Sequence, residues 1–486
     1  MAIDQQTVVI GGGITGLACA YRLQQLRVPV LLLEASDRVG GVIAATRRNG
    51  FLFESGPQCP RFPCALRRLV RDVDLEPEFV RAHARSRRYI LKAGQLYPAP
   101  LSPWALLATR LVSFRDKARF VAEPFSHAQP ADSEESLAGF IRRKFGSDTL
   151  DYLVDPFASA VFFSDPEEIG MEGALPLLAR WEREHGSVFR GALSSRKNGK
   201  RPSRQDSMTP SANHSTTVRL SEALPPLGSF KNGLGTLAAR LAEKLGSSLR
   251  LRTTVQTVRP PIDSASPWQM RLESGEEISA ESVIIAAPAY AAASMLQFAS
   301  PHLSELLHEI PYSPLAVVCS AYGRAQVRHS LKGFGIAVPR REGLHLISST
   351  WNSSIFPARA PGGKVLITHF ARPFPNEALL QKPTEEIAAI VETEIAPILG
   401  ISGSPVEREV WIHRKALPHF RIGHAARVAQ IGEAARALSR FHLVGNYFAG
   451  RSIGDCIENG FAAAEDVARE LNTPAALAGA AESNRA

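Results

Sequence analysis

Cysteine is sparse and odd in number. The 486-residue chain has five, at Cys19, Cys59, Cys64, Cys319 and Cys456. Their scatter excludes a disulfide framework and points to a reducing compartment. Cys59 and Cys64 are near neighbours, but no second Cys/His pair completes a zinc site, so no metal is expected. Long apolar runs are lacking too. No window of about 18 residues is both apolar and uncharged, which excludes a spanning helix. The first residues carry no basic segment and no Ala-x-Ala site, so no secretory signal is read and the chain is expected inside the cell. No internal repeat of about 20–50 residues is evident. Basic helices interleaved with aromatics are missing as well, which argues against a nucleic-acid partner.

What is present is a globular balance, with 45% hydrophobic and 21% charged residues. That excludes wholesale disorder, a collagen-like repeat and a coiled-coil rod. The length suggests two or three domains. The net charge is +9, and 45 arginines accompany eleven lysines. Arginine is the better bidentate partner for carboxylate and phosphate. The excess suits an acidic small molecule or an anionic membrane surface. Genomic composition bias accounts for it equally well.

A β-branched strand at 7–10, a turn at 11–16, a helix at 17–26 and a buried strand at 29–33 read as a βαβ unit on a parallel sheet. The chain is arginine-rich over 65–92, and Pro98, Pro100 and Pro103 then break it. Residues 104–125 mix Leu, Val and Phe with Arg110, Arg115, Lys117 and Arg119, as in an amphipathic helical pair. Such a pair is more commonly packed on its own protein; the alternative is a monotopic membrane patch. Residues 136–152 read as a helix. The polar, basic stretch 194–215 reads as a mobile insertion. Order resumes at Phe230, with a helix at 237–245. Strands are expected at 252–258, 268–272, 282–286, 317–323 and 364–370, consistent with a second sheet. A strand at 442–444, a glycine-rich turn, a helix at 457–471 and a frayed tail complete the order.

Gly11-x-Gly13-x-x-Gly16 falls between the first strand and the first helix. Alone the motif is weak; in that place it is a dinucleotide fingerprint. Gly11 permits the tight turn, Gly13 lets backbone approach a pyrophosphate, and Gly16 lets helix and strand pack closely. The helix N-terminus supplies free N–H groups for the phosphate. Glu34 stands 18 residues past Gly16, where a carboxylate accepts from ribose hydroxyls and argues against a 2′-phosphate. This motif does not separate NAD from FAD. A second glycine pair, Gly40-Gly41 after Arg38, adds a longer cradle that suits the extended flavin dinucleotide. Near the other end, Gly445, Gly450, Gly454 and Gly460 space a loop entering a helix. A helix N-terminus there would stabilise negative charge on a reduced flavin pyrimidine.

With these residues in hand, the chain resembles the oxygen-dependent protoporphyrinogen oxidases of haem synthesis, within the FAD superfamily of amine oxidases and phytoene desaturases. The front motif marks the superfamily only. Four segments point to the narrower family: RYILKAGQLYP from Arg88, GFGIAVP from Gly333, SIFPARAP from Ser354 and DCIENG from Asp455. The resemblance implies an α/β fold with a Rossmann-like FAD domain in three parts (1–87, 216–290 and 421–475). It also implies a discontinuous substrate domain of sheet plus helix (291–420), a helical membrane-associated domain (88–205) and a tail at 476–486. It implies oxidation of protoporphyrinogen IX to protoporphyrin IX, removing six electrons in three rounds and turning three O2 into three H2O2. A sister branch takes coproporphyrinogen III to coproporphyrin III instead.

Residue by residue, the resemblance places Gly11, Gly12, Gly13, Ile14, Thr15, Gly16, Glu34, Ala35, Arg38, Gly40 and Gly41 on the ADP half. Gly56, Pro57, Gln58 and Cys59 fall near the flavin ring. Val255 falls at the adenine end, and Asn446, Arg451, Ser452 and Ile453 on the pyrimidine side. Arg88 matches an arginine paired with a substrate propionate, with Arg85 and Arg87 as alternatives. Phe334, Gly335 and Ala337 match the tetrapyrrole pocket. Ala337 is smaller than the leucine often found there, and Gln58 stands where arginine can occur.

No residue is assigned as catalytic, because flavin N5 accepts the hydride. His413, His419 and His424 are close in sequence, but 13 histidines make chance spacing an adequate account. Cys456 suggests a thioether, yet the resemblance implies noncovalent FAD. It also implies a cytoplasmic protein held peripherally on the inner membrane of a bacterium. A homodimer and a handover of photoreactive porphyrin to ferrochelatase complete the expected partners. An amine oxidase or carotenoid desaturase is the rival enzyme. A flavin-free binding protein like the Rab GDP-dissociation inhibitors is the rival of another class, and the intact glycine motif and Glu34 argue against it.

Overall fold

The computed structural model describes residues 5–82, 87–127, 134–198, 225–263, 266–374, 377–448 and 450–472. Two seven-stranded sheets organise them. The first is assembled from remote stretches. Gln5–Ile10 lies between Val30–Leu33 and Glu277–Ile285, parallel to both. Leu249–Arg250 and Phe441–Leu443 add further parallel pairs, and Val255–Arg259 and Trp268–Leu272 add an antiparallel edge. Val8, Val9, Leu32, Ile284 and Ile285 are buried in it, as expected for parallel strands covered on both faces.

The second sheet runs in the order Glu407–Pro418, Tyr312–Gly323, Lys364–Ala371, Leu346–Thr350, Gly335–Ala337, Arg88–Lys92, Gln95–Pro98. Alternation gives it two faces. Val318, Ile367 and Ala371 pack with Val391 and Ile395 of helix Thr384–Leu399. On the other face Val317, Leu366 and Phe370 meet Phe51 and Phe53 of the strand Phe51–Glu54, and Phe163 just past helix Asp155–Phe162. The hairpin Arg88–Pro98 belongs to this sheet, through the parallel pair Arg88↔Gly335 and Ala337↔Ile90.

A helical cluster covers one side, with Phe140, Ile141, Phe145, Trp181 and Val188 at its centre. The helix expected over 136–152 is broken. Leu137–Phe145 ends at Gly146, whose φ is +95°. A π-helical turn at Leu150–Val154 then leads into Asp155–Phe162. The buried carboxylate of Asp116 accepts from the N–H of Asp148 and of Thr149 and fixes the break.

Other boundaries moved for identifiable reasons. The strand expected from 252 starts at Val255, because Arg252 has φ +51°. The last helix starts at Ile453 rather than 457, because Ser452 and Asp455 cap it. The amphipathic pair forms as Pro103–Ala108 and Phe114–Ala122. Helix Val188–Asn198 enters the basic insertion; the rest of that insertion, the tail and Arg85 lie outside the described residues. No helix among the described residues is long and apolar enough to cross a membrane.

Candidate functional site

The first strand delivers Gly11, Gly12 and Gly13 to the N-terminus of helix Ile14–Gln25. Gly13 caps that helix without a side chain, so its first N–H groups are open to a ligand. The glycines divide the work. A Cβ on Gly16 would lie 1.9 Å from the Gly11 carbonyl oxygen, and one on Gly11 2.9 Å from the Ala286 oxygen. These two hold helix and strands together. A Cβ on Gly13 would meet nothing within 4 Å. That open space is a cradle a side chain would fill. Ile14 and Thr15 are buried behind it.

Glu34 ends the second strand beside this turn. It accepts from the Gly12 N–H at 2.5 Å and from the N–H and hydroxyl of Ser36. A carboxylate has about four lone-pair sites, so capacity for a hydroxyl remains. The exposed Ala35 follows it. The Glu34 carbonyl accepts from Thr253 N–H, which places Val255 at the same end. The second glycine pair folds back: Gly40 N–H donates to the Gly12 carbonyl at 2.8 Å. Arg38 donates to the carbonyls of Val39 and Gly41, bracing that loop. These residues fit an extended diphosphate.

The turn at 56–59 continues the path. A Cβ on Gly56 would lie 2.4 Å from the Val42 oxygen, so the two segments touch. Pro57 is exposed. Gln58 is buried, donates to the carbonyls of Glu54 and Gly56, and accepts from Asn352 at 2.5 Å and Thr368 at 3.3 Å. Its side chain is spent on linking this turn to the second sheet. Beneath it, buried Glu54 and Arg359 pair at 3.2 Å.

Helix Ile453–Asn472 packs along helix Ile14–Gln25. Gly460 makes this possible, since a Cβ there would lie 2.5 Å from the Thr15 oxygen. Two helix N-termini therefore stand side by side. Ser452 caps the second through Asp455, and Ile453 and Cys456 are buried. Burial raises the Cys456 thiol to about 11 and the Cys59 thiol to about 12. Neither is a thiolate at neutral pH. Arg451 lies between the rings of Phe162 and Phe420, 3.8 and 4.2 Å from their centroids. Burial lowers its pKa to about 9. Asn446 is half-buried in the loop before it.

The three histidines serve structure. His413 contacts the Ser55 carbonyl, His424 contacts the Tyr447 carbonyl and stacks on Phe420, and His419 faces Glu168. No group of three metal-ligating side chains occurs among the described residues.

The residues expected at the substrate converge. Phe334 N–H donates to the Arg87 carbonyl at 2.7 Å, and the Arg88 guanidinium lies 4.5 Å from the Phe334 ring centroid. Gly335 sits between Arg88 and Thr350 in the sheet, and its φ is +153°. A Cβ there would lie 1.9 Å from the Ser349 oxygen, so only glycine fits. Ala337 is half-buried one pleat further on. Phe334 and Cys59 pack on one cluster with Phe356, which joins the substrate loop to the end of the glycine path. Desolvation first, then Arg61, lower the Arg88 pKa.

The family model for flavin-containing amine oxidoreductases matches residues 14–468. The chain belongs to that family. As a member of the flavin amine oxidoreductases it is a flavin-dependent oxidoreductase. It is 30% identical to protoporphyrinogen oxidase 1 of Spinacia oleracea chloroplasts, over 95% of this chain and 83% of the relative. It is 27% identical to coproporphyrinogen III oxidase of Bacillus subtilis, over 95% and 97%. A crystal structure from Exiguobacterium sp. 255-15, provisionally named a protoporphyrinogen oxidase, has a TM-score of 0.78 at 23% identity, covering 96% and 100%. Such amine oxidoreductase likeness at that identity is a likeness of fold.

Residues on the same sheet face went unread in the sequence: Thr350, Phe370 and Arg372, with Phe163 and Ser159 from the covering helix. Phe163 takes φ +49° as the left-handed C-cap of helix Asp155–Phe162, the common way for a helix to end. Its ring lies 6.0 Å from Phe370.

Proposed function

We propose that this chain is an FAD-dependent porphyrinogen oxidase, converting protoporphyrinogen IX to protoporphyrin IX with oxygen as the final acceptor. One observation carries the reading: a cation, Arg88, lies against the Phe334 ring at the edge of a sheet face that continues from the flavin cradle. A porphyrinogen is apolar across its face and anionic at its propionates. It needs flat walls and few, well-placed charges. Phe334, Gly335, Ala337 and Phe370 supply the wall, and Arg88 supplies a charge-assisted bond to a carboxylate. The relatives' names support the same class.

Bound FAD would supply the two-electron oxidation of each of three rounds, with oxygen taking up the electrons as hydrogen peroxide. The chain's part is orientation and charge. The open space at Gly13 and the facing Gly40–Gly41 loop hold the diphosphate. Glu34 holds ribose, Val255 flanks adenine, and the N-terminus at Ile453 faces the pyrimidine and favours negative charge there. The bond is noncovalent, in keeping with the protonated Cys456. The same reading divides the chain as the resemblance does, and it places the protein peripherally on an anionic membrane through the exposed Trp104, Phe114 and Phe125.

The Bacillus subtilis relative favours a second reading, coproporphyrinogen III as substrate. Purified, FAD-loaded protein mixed in air with each porphyrinogen separates them. Faster porphyrin fluorescence than the blank with protoporphyrinogen supports the first reading; with coproporphyrinogen, the second. No gain with either, despite bound flavin, defeats both.

A further inference from the structure

The strand Lys364–Ala371 alternates, with Ile367 and Ala371 facing helix Thr384–Leu399 and Leu366 and Phe370 on the opposite face, the face that by register also carries Gly335 and Arg88 and is the substrate side of the reading above. The pairing continues one residue on, through Arg372 N–H to the His345 carbonyl. By the same alternation Arg372 follows Phe370 onto the substrate side. Its contacts agree. Nη1 donates to Ser159 Oγ at 2.7 Å, and Ser159 lies on the helix whose following residue, Phe163, meets Phe370.

Arg372 is 7% exposed, yet its Nε and Nη2 have no hydrogen-bond partner among the described residues. The nearby carboxylate is otherwise engaged: Asp155 accepts from Ser159 Oγ at 3.3 Å and from Arg340 N–H at 2.7 Å. Arg340 pairs with Asp165 instead. Arg340 and Arg372 both approach the Phe374 ring, at 4.5 and 5.1 Å. A buried guanidinium with two unused donor groups costs free energy unless something accepts from them. It remains a cation, since burial brings its pKa only to about 10.

The register fixes where this cation lies relative to Arg88. Arg88, Gly335, Thr350 and Thr368 form one row across the sheet. Arg372 is four residues beyond Thr368, on the third strand over. At about 3.3 Å per residue and 4.8 Å per strand, the two Cα atoms are about 19 Å apart on a diagonal. Gly335, Ala337, Ser348 and Phe370 lie between them.

We propose that Arg372 binds a carboxylate at the edge of the substrate opposite Arg88, so that the site also accepts a tetrapyrrole with carboxylates on both edges, which favours the second of the two porphyrinogen readings. This rests on the porphyrinogen reading above. A macrocycle with all its carboxylates on one edge uses Arg88 alone; a tetracarboxylate such as coproporphyrinogen III uses both.

The test compares two unreactive probes, coproporphyrin III and protoporphyrin IX, titrated by fluorescence into flavin-loaded wild type, R372Q and R372K. Loss of one charge-assisted bond corresponds to about tenfold or more in affinity. R372Q is expected to weaken coproporphyrin III by that factor and protoporphyrin IX by under about twofold, with R372K between. The same split is expected in kcat/KM for the two porphyrinogens. Equal losses for both probes, or none, overturn the proposal. If R372Q does not fold, the charge-preserving R372K decides by the same split. Wild type that binds neither porphyrin and oxidises neither porphyrinogen takes down the porphyrinogen reading itself.

Discussion

Gly40 donates its backbone N–H to the carbonyl of Gly12 at 2.8 Å, so the second glycine pair is laid across the first. A Cβ built on Gly41 would lie 3.7 Å from Gly13 Cα. The glycines of this contact are therefore of two kinds. At Gly13 a methyl group enters only open space; at Gly16 it collides with the Gly11 oxygen. Gly13→Ala is expected to fold with nearly unchanged Tm but to lose about tenfold or more in FAD affinity, read by flavin fluorescence quenching. Gly16→Ala is expected to lower Tm in the apoprotein too. Equal flavin binding by Gly13→Ala and wild type would remove the diphosphate from this site.

Arg88 lies over Phe334 and within reach of the substrate face. Its removal deletes a charge-assisted bond but no reacting group. Arg88→Ala is expected to raise KM for the porphyrinogen about tenfold or more while kcat changes little, and Arg88→Lys to recover part of the loss. A kcat collapse at constant KM would show that Arg88 does something other than hold a carboxylate.

The glycine turn of the first βαβ unit was legible because its geometry is local. Gly11 to Gly16, the strand before them and Glu34 fall within one βαβ unit, and glycine spacing encodes both a clash and a gap. The convergence of Arg88 with Phe334 to Ala337 entered through resemblance; the parallel pairing of two strands about 245 positions apart leaves no local trace. Arg372 was invisible for a further reason. In sequence it ends a strand next to Pro373 and looks like a solvated terminus; only the packing of Ser159 over it makes it a buried cation. Gln58 was placed by the resemblance alone; that its side chain ties its turn to the second sheet, through Asn352 and Thr368, left no trace in the sequence.

Two buried histidines make stability depend on pH. Burial lowers His369 to about 3 and His424 to about 4, from 6.5. Between those values and 6.5 the unfolded chain binds more protons than the folded one, so stability rises with pH over that window and is fully present above it. Urea midpoints are expected to fall from pH 7 towards pH 4.5, and His424→Gln to flatten the slope. An unchanged slope in that variant would place the titration elsewhere.

The exposed aromatics make the last case. Leu111 and Val112 turn inward onto Ile90 and Tyr152, so the helical pair is anchored to its own protein. Trp104, Phe114 and Phe125 nevertheless stay about four-fifths exposed, at 81%, 87% and 80%. Full burial of one such side chain contributes roughly 1.5–3 kcal/mol, and the exposed Arg110 and Arg115 stand beside them. The set suits an interface with apolar groups below the headgroups and cations among them. Wild type is expected to sediment with vesicles containing anionic lipid and less with neutral ones. About 1 M salt, where the Debye length is about 3 Å, should weaken the attachment without abolishing it. The double variant Trp104→Glu/Phe125→Glu should remain in the supernatant with its flavin bound. Equal sedimentation of that variant and wild type would mean that charge alone attracts the protein to lipid, leaving these aromatics for a protein partner.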